Sequence, residues 1–287
     1  MSLDPTTDSS KPIVITGFGS IDGPGGEPNL SETVVQMLYH DLPDGKFVYH
    51  DINNEELEIP ILTGPEPTGI PCGYDCVRND PFDTWLKSTD ARIYVHLGIA
   101  DNNNPIISFE KVAYNLPFTK TCQQTSWVCD YEGHNNYNKD CIQDGDYYLI
   151  TSFNIPVLIE KVMEATRGTV PSTVSFQESY NAGNFLCNFL YYRSLYYANC
   201  KDSANVIFIH VPEELPQGVG MNDMVLIIKQ IVSCMLDMQN DGDIKDEDVS
   251  QCVCPASSWR YRKFTRRQGR QKRKWKERQR VYMRCKI

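Results

Sequence analysis

The chain has 287 residues, a formal net charge of −9, and 41% hydrophobic and 23% charged residues; this balance excludes a wholly disordered chain and supports one sizeable core with an appendage at most. No run approaches the ~18 apolar residues that a membrane-spanning helix needs, and the polar, acidic stretch Met1–Lys11 lacks the apolar centre of a signal peptide. Eleven cysteines, an odd number scattered along a chain without secretory features, read as reduced thiols of a cytoplasmic protein, so the sequon Asn29-Leu-Ser31 is expected to have no acceptor role.

In chain order, Ile13–Thr16 is predicted as a buried first strand ending in Gly17-Phe18-Gly19. A nucleotide loop is not expected there, because Asp22 takes the sixth position of a Gly-x-Gly-x-x-Gly pattern and no Gly-Lys-Ser/Thr follows. The glycines instead allow a tight turn that pushes Phe18 into a cleft. Asn29–Tyr39 then reads as a helix with Val34, Val35 and Leu38 inward. Between Asp51 and Asp90 only Glu58–Thr63 has strand character; a Gly- and Pro-rich loop follows, and Cys72 and Cys76 read as unrelated thiols, since no second close pair completes a metal set.

Arg92–Gly98 is a further strand with a glycine at its carboxyl end, and after a polar loop the half-apolar stretch Ile107–Leu116 carries Glu110, by itself an ordinary solvated charge. Thr119–Asp146 contains the zinc-type ligands Cys122, Cys129, His134 and Cys141, but without Cys-x-x-Cys knuckles it reads as a surface loop and no metal is expected. Ile155–Thr166 is an amphipathic helix presenting Ile155, Leu158, Ile159, Val162 and Met163 on one face and ended by Gly168; Thr173–Phe176 is a short strand.

The stretch Ser179–Tyr197 carries the chemistry. Asn and Gly lead into Phe185, Phe189, Tyr192 and Tyr196, flanked by Leu186 and Leu190, at helical spacing, which puts Cys187 in the first turns of a largely buried helix. Free amides and the dipole at a helix start favour negative charge on a thiol; a packed, unreactive cysteine, one of the most buried residue types, fits the same stretch. Val206–Ile209 is an unbroken buried strand stopped by Pro212, with His210 at its carboxyl end, where α/β sheets collect function. A cysteine helix followed by a strand-end histidine is the order that a Cys-His nucleophile needs; a structural histidine fits the same pattern. Met221–Met238 is a long helix with Met224, Val225, Ile228, Ile231, Val232 and Met235 apolar, placed to cover one face of the sheet. Beyond it Asp237–Asp248 imitates a calcium loop through Asp237, Asp241, Gly242 and Ile244, but Gln239 and a terminal Asp248 depart from the pattern, and an acidic turn is expected.

Three ordered blocks, Val14-Ile-Thr-Gly-Phe-Gly19, Ile107-Ser-Phe-Glu-Lys-Val-Ala-Tyr-Asn-Leu116, and Asn181-Ala-Gly-Asn-Phe-Leu-Cys-Asn-Phe-Leu-Tyr-Tyr-Arg-Ser-Leu195 with Phe208-Ile-His-Val-Pro212, resemble pyroglutamyl-peptidase I, a family of cysteine omega-peptidases. The likeness runs from about Ile13 to about Met238. It implies a three-layer α/β/α sandwich around a mixed, mostly parallel sheet, spanning residues 12–250 after a flexible N-terminus 1–11. It also implies a catalytic set of Glu110, Cys187 and His210, no cofactor, peptides with N-terminal pyroglutamate as substrates, and a homo-oligomer as one assembly state. Phe18 matches a pocket phenylalanine of that family, Ile21 stands where a second phenylalanine is usual, and Phe185 and Leu186 complete the apolar slot expected to take the uncharged lactam.

The segment 251–287 differs in character. Trp259–Ile287 holds fourteen Lys or Arg against Glu277 alone, a net charge of about +13 that leaves about −22 on the rest. Its interleaved Trp259, Tyr261, Trp275 and Tyr282 suit phosphate and base contacts, and the same composition suits nuclear import or docking on an acidic surface. A second reading of the chain is therefore a catalytically weakened scaffold that binds nucleic acid or an acidic partner through this tail.

Overall fold

The computed structural model describes residues 11–19, 29–50, 54–63, 82–100, 106–115, 148–183, 186–200 and 205–241, all within the unit Met1–Glu247. Cys72, Cys76, the 119–146 segment with its four zinc-type residues, and the 251–287 tail lie outside them.

Seven strands form one sheet: β1 (Ile13–Gly17), β2 (Lys46–His50), β3 (Glu56–Leu62), β4 (Ile93–Ile99), β5 (Ile106–Glu110), β8 (Ser175–Ser179) and β9 (Asn205–Val211), in the order β2-β3-β1-β4-β9-β5-β8. The run β3, β1, β4 and β9 is parallel, β2 joins β3 antiparallel, and β5 runs antiparallel to β9 while pairing parallel with β8. A separate ribbon pairs β6 (Val112–Tyr114) with β7 (Tyr148–Ile150). The five α-helices of the described residues are α1 (Leu30–His40), α2 (Phe82–Ser88), α3 (Ile155–Ala165), α4 (Leu186–Cys200) and α5 (Met221–Asp241).

The two-residue period of the strands separates two cores. Ile13, Ile15, Ile93, Val95, Leu97, Ile107, Phe109, Ile207, Ile209 and Val211 face the side covered by α1, α3 and α5. Val14, Tyr94, Val206 and Phe208 face the other side, covered by α2 and α4. The central strands are buried on both faces, which is why they read as unbroken apolar runs. The molecule is thus the expected three-layer α/β/α sandwich on a mixed, mostly parallel sheet.

Local expectations hold with small shifts. Asn29 caps α1 by accepting the Glu32 amide at 3.1 Å, and Val34, Val35 and Leu38 are buried as expected. In α3 the stripe of Ile155, Leu158 and Val162 is fully buried, but Met163 is 54% exposed: the stripe against the sheet is narrower than the sequence reading assumed. The chain from Asp237 to Asp241 continues α5 as helix instead of forming an acidic turn, and Asp237 accepts a hydrogen bond from Tyr49, so that carboxylate ties α5 to β2. Gly17 corrects another expectation. A side chain there would meet the Ser31 carbonyl oxygen at 2.4 Å, so this glycine admits close packing of α1 on β1 and is not there for a tight turn.

Candidate active site

His210 lies at the carboxyl end of β9, on the face covered by α4. Its neighbour in parallel β4 is Gly98, and in antiparallel β5 it is Ser108; Glu110, two residues further along β5 and on the same face, pairs with Phe208. The Glu110 side chain reaches diagonally across the strands, and its Oε1 stands 2.8 Å from His210 Nδ1. The dyad is nearly dry, with Glu110 1% and His210 8% exposed. With Nδ1 engaged by the carboxylate, Nε2 is left for Cys187, which interacts with the imidazole both by hydrogen bonding and by charge. Burial opposes a charged imidazole, but the Cys187 sulfur and the Glu110 carboxylate outweigh it and raise the His210 pKa to about 10. The arrangement favours the charged form of the His210 imidazole.

Cys187 is the second residue of α4, at the end where a helix leaves backbone amides free, and it is partly buried. Cys234, the other described free thiol, is buried in α5, where burial and then Asp237 push its pKa up to about 11. Access therefore differs between the two thiols.

Two side chains that the sequence reading did not single out lock α4 to the segment carrying Glu110. Asn188, next to the thiol, accepts the Tyr114 amide at 2.8 Å and donates to the Tyr114 carbonyl at 2.9 Å. Tyr191, fully buried one turn on, donates its hydroxyl to the Glu110 carbonyl at 2.7 Å. Burial and the Glu110 charge hold the Tyr191 phenol well above its ordinary range, so it remains a donor. Both lie within the helical stretch recognised from the sequence, but only the partners identify them. Asn188→Ala removes both of these hydrogen bonds to the buried Tyr114 backbone, and it is expected to lower unfolding free energy by about 3 kcal/mol in chemical denaturation.

Phe208 is the aromatic centre of this face. It is fully buried, with ring centroids 4.9 Å from His210, 5.8 Å from Tyr191, 6.3 Å from Phe18 and 6.4 Å from His96. Phe18 is 4% and Leu186 1% exposed, and both belong to this packed cluster; Phe18 is a core residue here, not one thrust into an open cleft. Ile21 and Phe185 lie outside the described residues. His96 is completely buried, hydrogen-bonded through Nδ1 to Thr16 at 2.7 Å, and burial lowers its pKa to about 3, so it stays neutral. Among the described residues no three His, Cys, Asp or Glu side chains are grouped to hold a metal ion.

The family model for pyroglutamyl peptidase matches residues 69–235, more than half of the chain. Human pyroglutamyl-peptidase 1 is 25% identical over 243 residues, covering 82% of this chain and 95% of its own length. The pyrrolidone-carboxylate peptidase of Clostridium perfringens is 25% identical over 255 residues, covering 84% of this chain and 99% of its own. The solved structure of pyroglutamyl peptidase I from Bacillus amyloliquefaciens superposes with a TM-score of 0.54 over 78% of this chain and 96% of that one, at 18% identity, which speaks to the fold. The sheet order, the helices on its two faces and a family match that includes both the Cys187 helix and the His210 strand agree, and the chain belongs to the pyroglutamyl peptidase family of cysteine peptidases.

Proposed function

We propose that this protein hydrolyses the amide bond after an N-terminal pyroglutamyl residue of peptides, with Cys187 as nucleophile, His210 as general acid and base, and Glu110 as the group that orients and charges the imidazole. The observation that carries the reading is the continuous series from Glu110 through His210 to a half-exposed thiol at a helix start.

The steps balance without a cofactor. The Cys187 thiolate adds to the scissile carbonyl carbon, and the electron pair moves to oxygen, where free amides at the start of α4 are positioned to stabilise the oxyanion. Collapse breaks the C–N bond as His210 passes its proton to the leaving amine, which leaves a thioester. The neutral imidazole then takes a proton from water; the hydroxide displaces the sulfur and releases pyroglutamic acid, which gives up its proton to solvent, and Cys187 returns as thiolate and His210 as imidazolium. Phe18 and Leu186, buried on the same face, form an apolar wall behind the site, which suits an uncharged lactam and disfavours a charged N-terminus.

The test compares coumarin release from pyroglutamyl and prolyl amides, which differ in the ring carbonyl and in the charge on the ring nitrogen. Release from the pyroglutamyl amide is expected with kcat/KM at least about 10²-fold above the prolyl amide. Equal rates, or none, would overturn the proposal.

A further inference from the structure

Resting on the role proposed for Cys187, we infer that Gly98 is a positioning residue for the nucleophile: its missing side chain forms the floor against which the Cys187 sulfur lies beside His210. Gly98 is the register partner of His210 in the adjacent strand β4. A Cβ added there would stand 3.1 Å from Cys187 Sγ and 2.8 Å and 3.0 Å from Cζ and Cε1 of Phe208. Backbone torsion does not explain this glycine. Gly168, Gly183 and Gly218 have φ of 77°, 80° and 81° and nothing within 4 Å of an added Cβ, whereas Gly98 is not among the positive-φ glycines and is crowded. What requires glycine at this position is space, and one of the groups filling that space is the thiol.

The surroundings leave the sulfur little choice. Phe208 is fully buried among the rings of Phe18, His96, Tyr191 and His210, so it can yield only by disturbing them. The α4 backbone is pinned beside Cys187 by Asn188 and, one turn on, by Tyr191. An alanine methyl would therefore displace the half-exposed thiol outward, away from the imidazole. The titratable groups around this point are His210 from β9, Glu110 from β5, Tyr191 from α4 and the neutral His96 from β4 itself.

Gly98→Ala is expected to lower kcat for pyroglutamyl-coumarin hydrolysis about 10- to 100-fold with KM nearly unchanged, because the displacement misaligns the attacking atom more than it weakens binding. The second readout is iodoacetamide alkylation of Cys187, followed by peptide mass at pH 6 and pH 9. A thiol moved off the imidazole loses reactivity most at the lower pH, so the ratio of the two rates is expected to fall by about tenfold.

Gly98→Ala/Phe208→Leu makes room for the methyl on the ring side but leaves the sulfur contact, and it is expected to retain both deficits; it also carries the test should the single variant fail to fold. Restoration of the wild-type ratio and kcat in this double variant would overturn the inference, as would an unchanged ratio in Gly98→Ala. If the wild type cleaves no pyroglutamyl amide and the ratio still falls, the substrate reading fails and the role of Gly98 stands.

Discussion

Replacing Cys187 by serine is expected to lower kcat/KM for a pyroglutamyl amide by about 10⁴-fold or more, with the fold unchanged. In the proposed mechanism the His210 imidazolium supports a thiolate at the start of α4, a role that a serine hydroxyl, which does not ionise in that setting, cannot take. The residue is half-buried and its side chain is small, so the change opens no sizeable cavity. Initial rates with the coumarin amide, together with far-ultraviolet circular dichroism of both proteins, decide the matter. Activity within tenfold of wild type, with the fold intact, would remove Cys187 as nucleophile.

The second large effect is expected from Glu110→Gln, which keeps the volume and removes the charge. Burial lowers the His210 pKa, whereas Cys187 and Glu110 raise it, with a net result near 10. Without the carboxylate one of the raising groups is gone, so the alkaline limb of the pH–rate profile is expected to move down by about one unit or more. At pH 8 kcat is expected to fall by about 10²-fold, since the imidazole loses both its orientation and part of its positive charge. An alkaline limb at the same pH in both proteins would sink the assignment of Glu110.

Stability follows the same sign. The folded pKa of His210 lies above the ordinary value of about 6.5, so its contribution is fully present below pH 6.5 and is lost as pH rises through about 10. Thermal melts across that range should show a steeper alkaline decline in the wild type than in Glu110→Gln.

The elements most legible in the chain were those whose signals are local. Val206–Ile209 announces a buried strand because both its faces are covered, and α1 declares itself through Asn29 and the inward spacing of Val34, Val35 and Leu38. Cys187, His210 and Glu110 were found through ordered blocks of residues resembling a family, and their meeting depends on register across strands distant in sequence. The ribbon of β6 and β7, the short helix α2 and the edge strand β2 were missed, since strands of three to five residues and a single pair of turns carry too little periodicity to stand out. The apolar face of α3 was overdrawn at Met163 because helical spacing gives the centre of a stripe better than its width.

By itself, then, the order of residues determined that an α/β sheet forms, that a thiol begins a buried helix and that an imidazole ends a buried strand. Only the tertiary structure decided that β5 runs antiparallel to β9, which brings the Glu110 carboxylate diagonally to His210, and that Asn188 and Tyr191 fasten the thiol's helix to the glutamate's segment. It alone gave Gly98 a reason. Strand direction and pairing partner are set by which faces can be buried together over separations of a hundred residues, and no window along the chain contains both sides of such a contact.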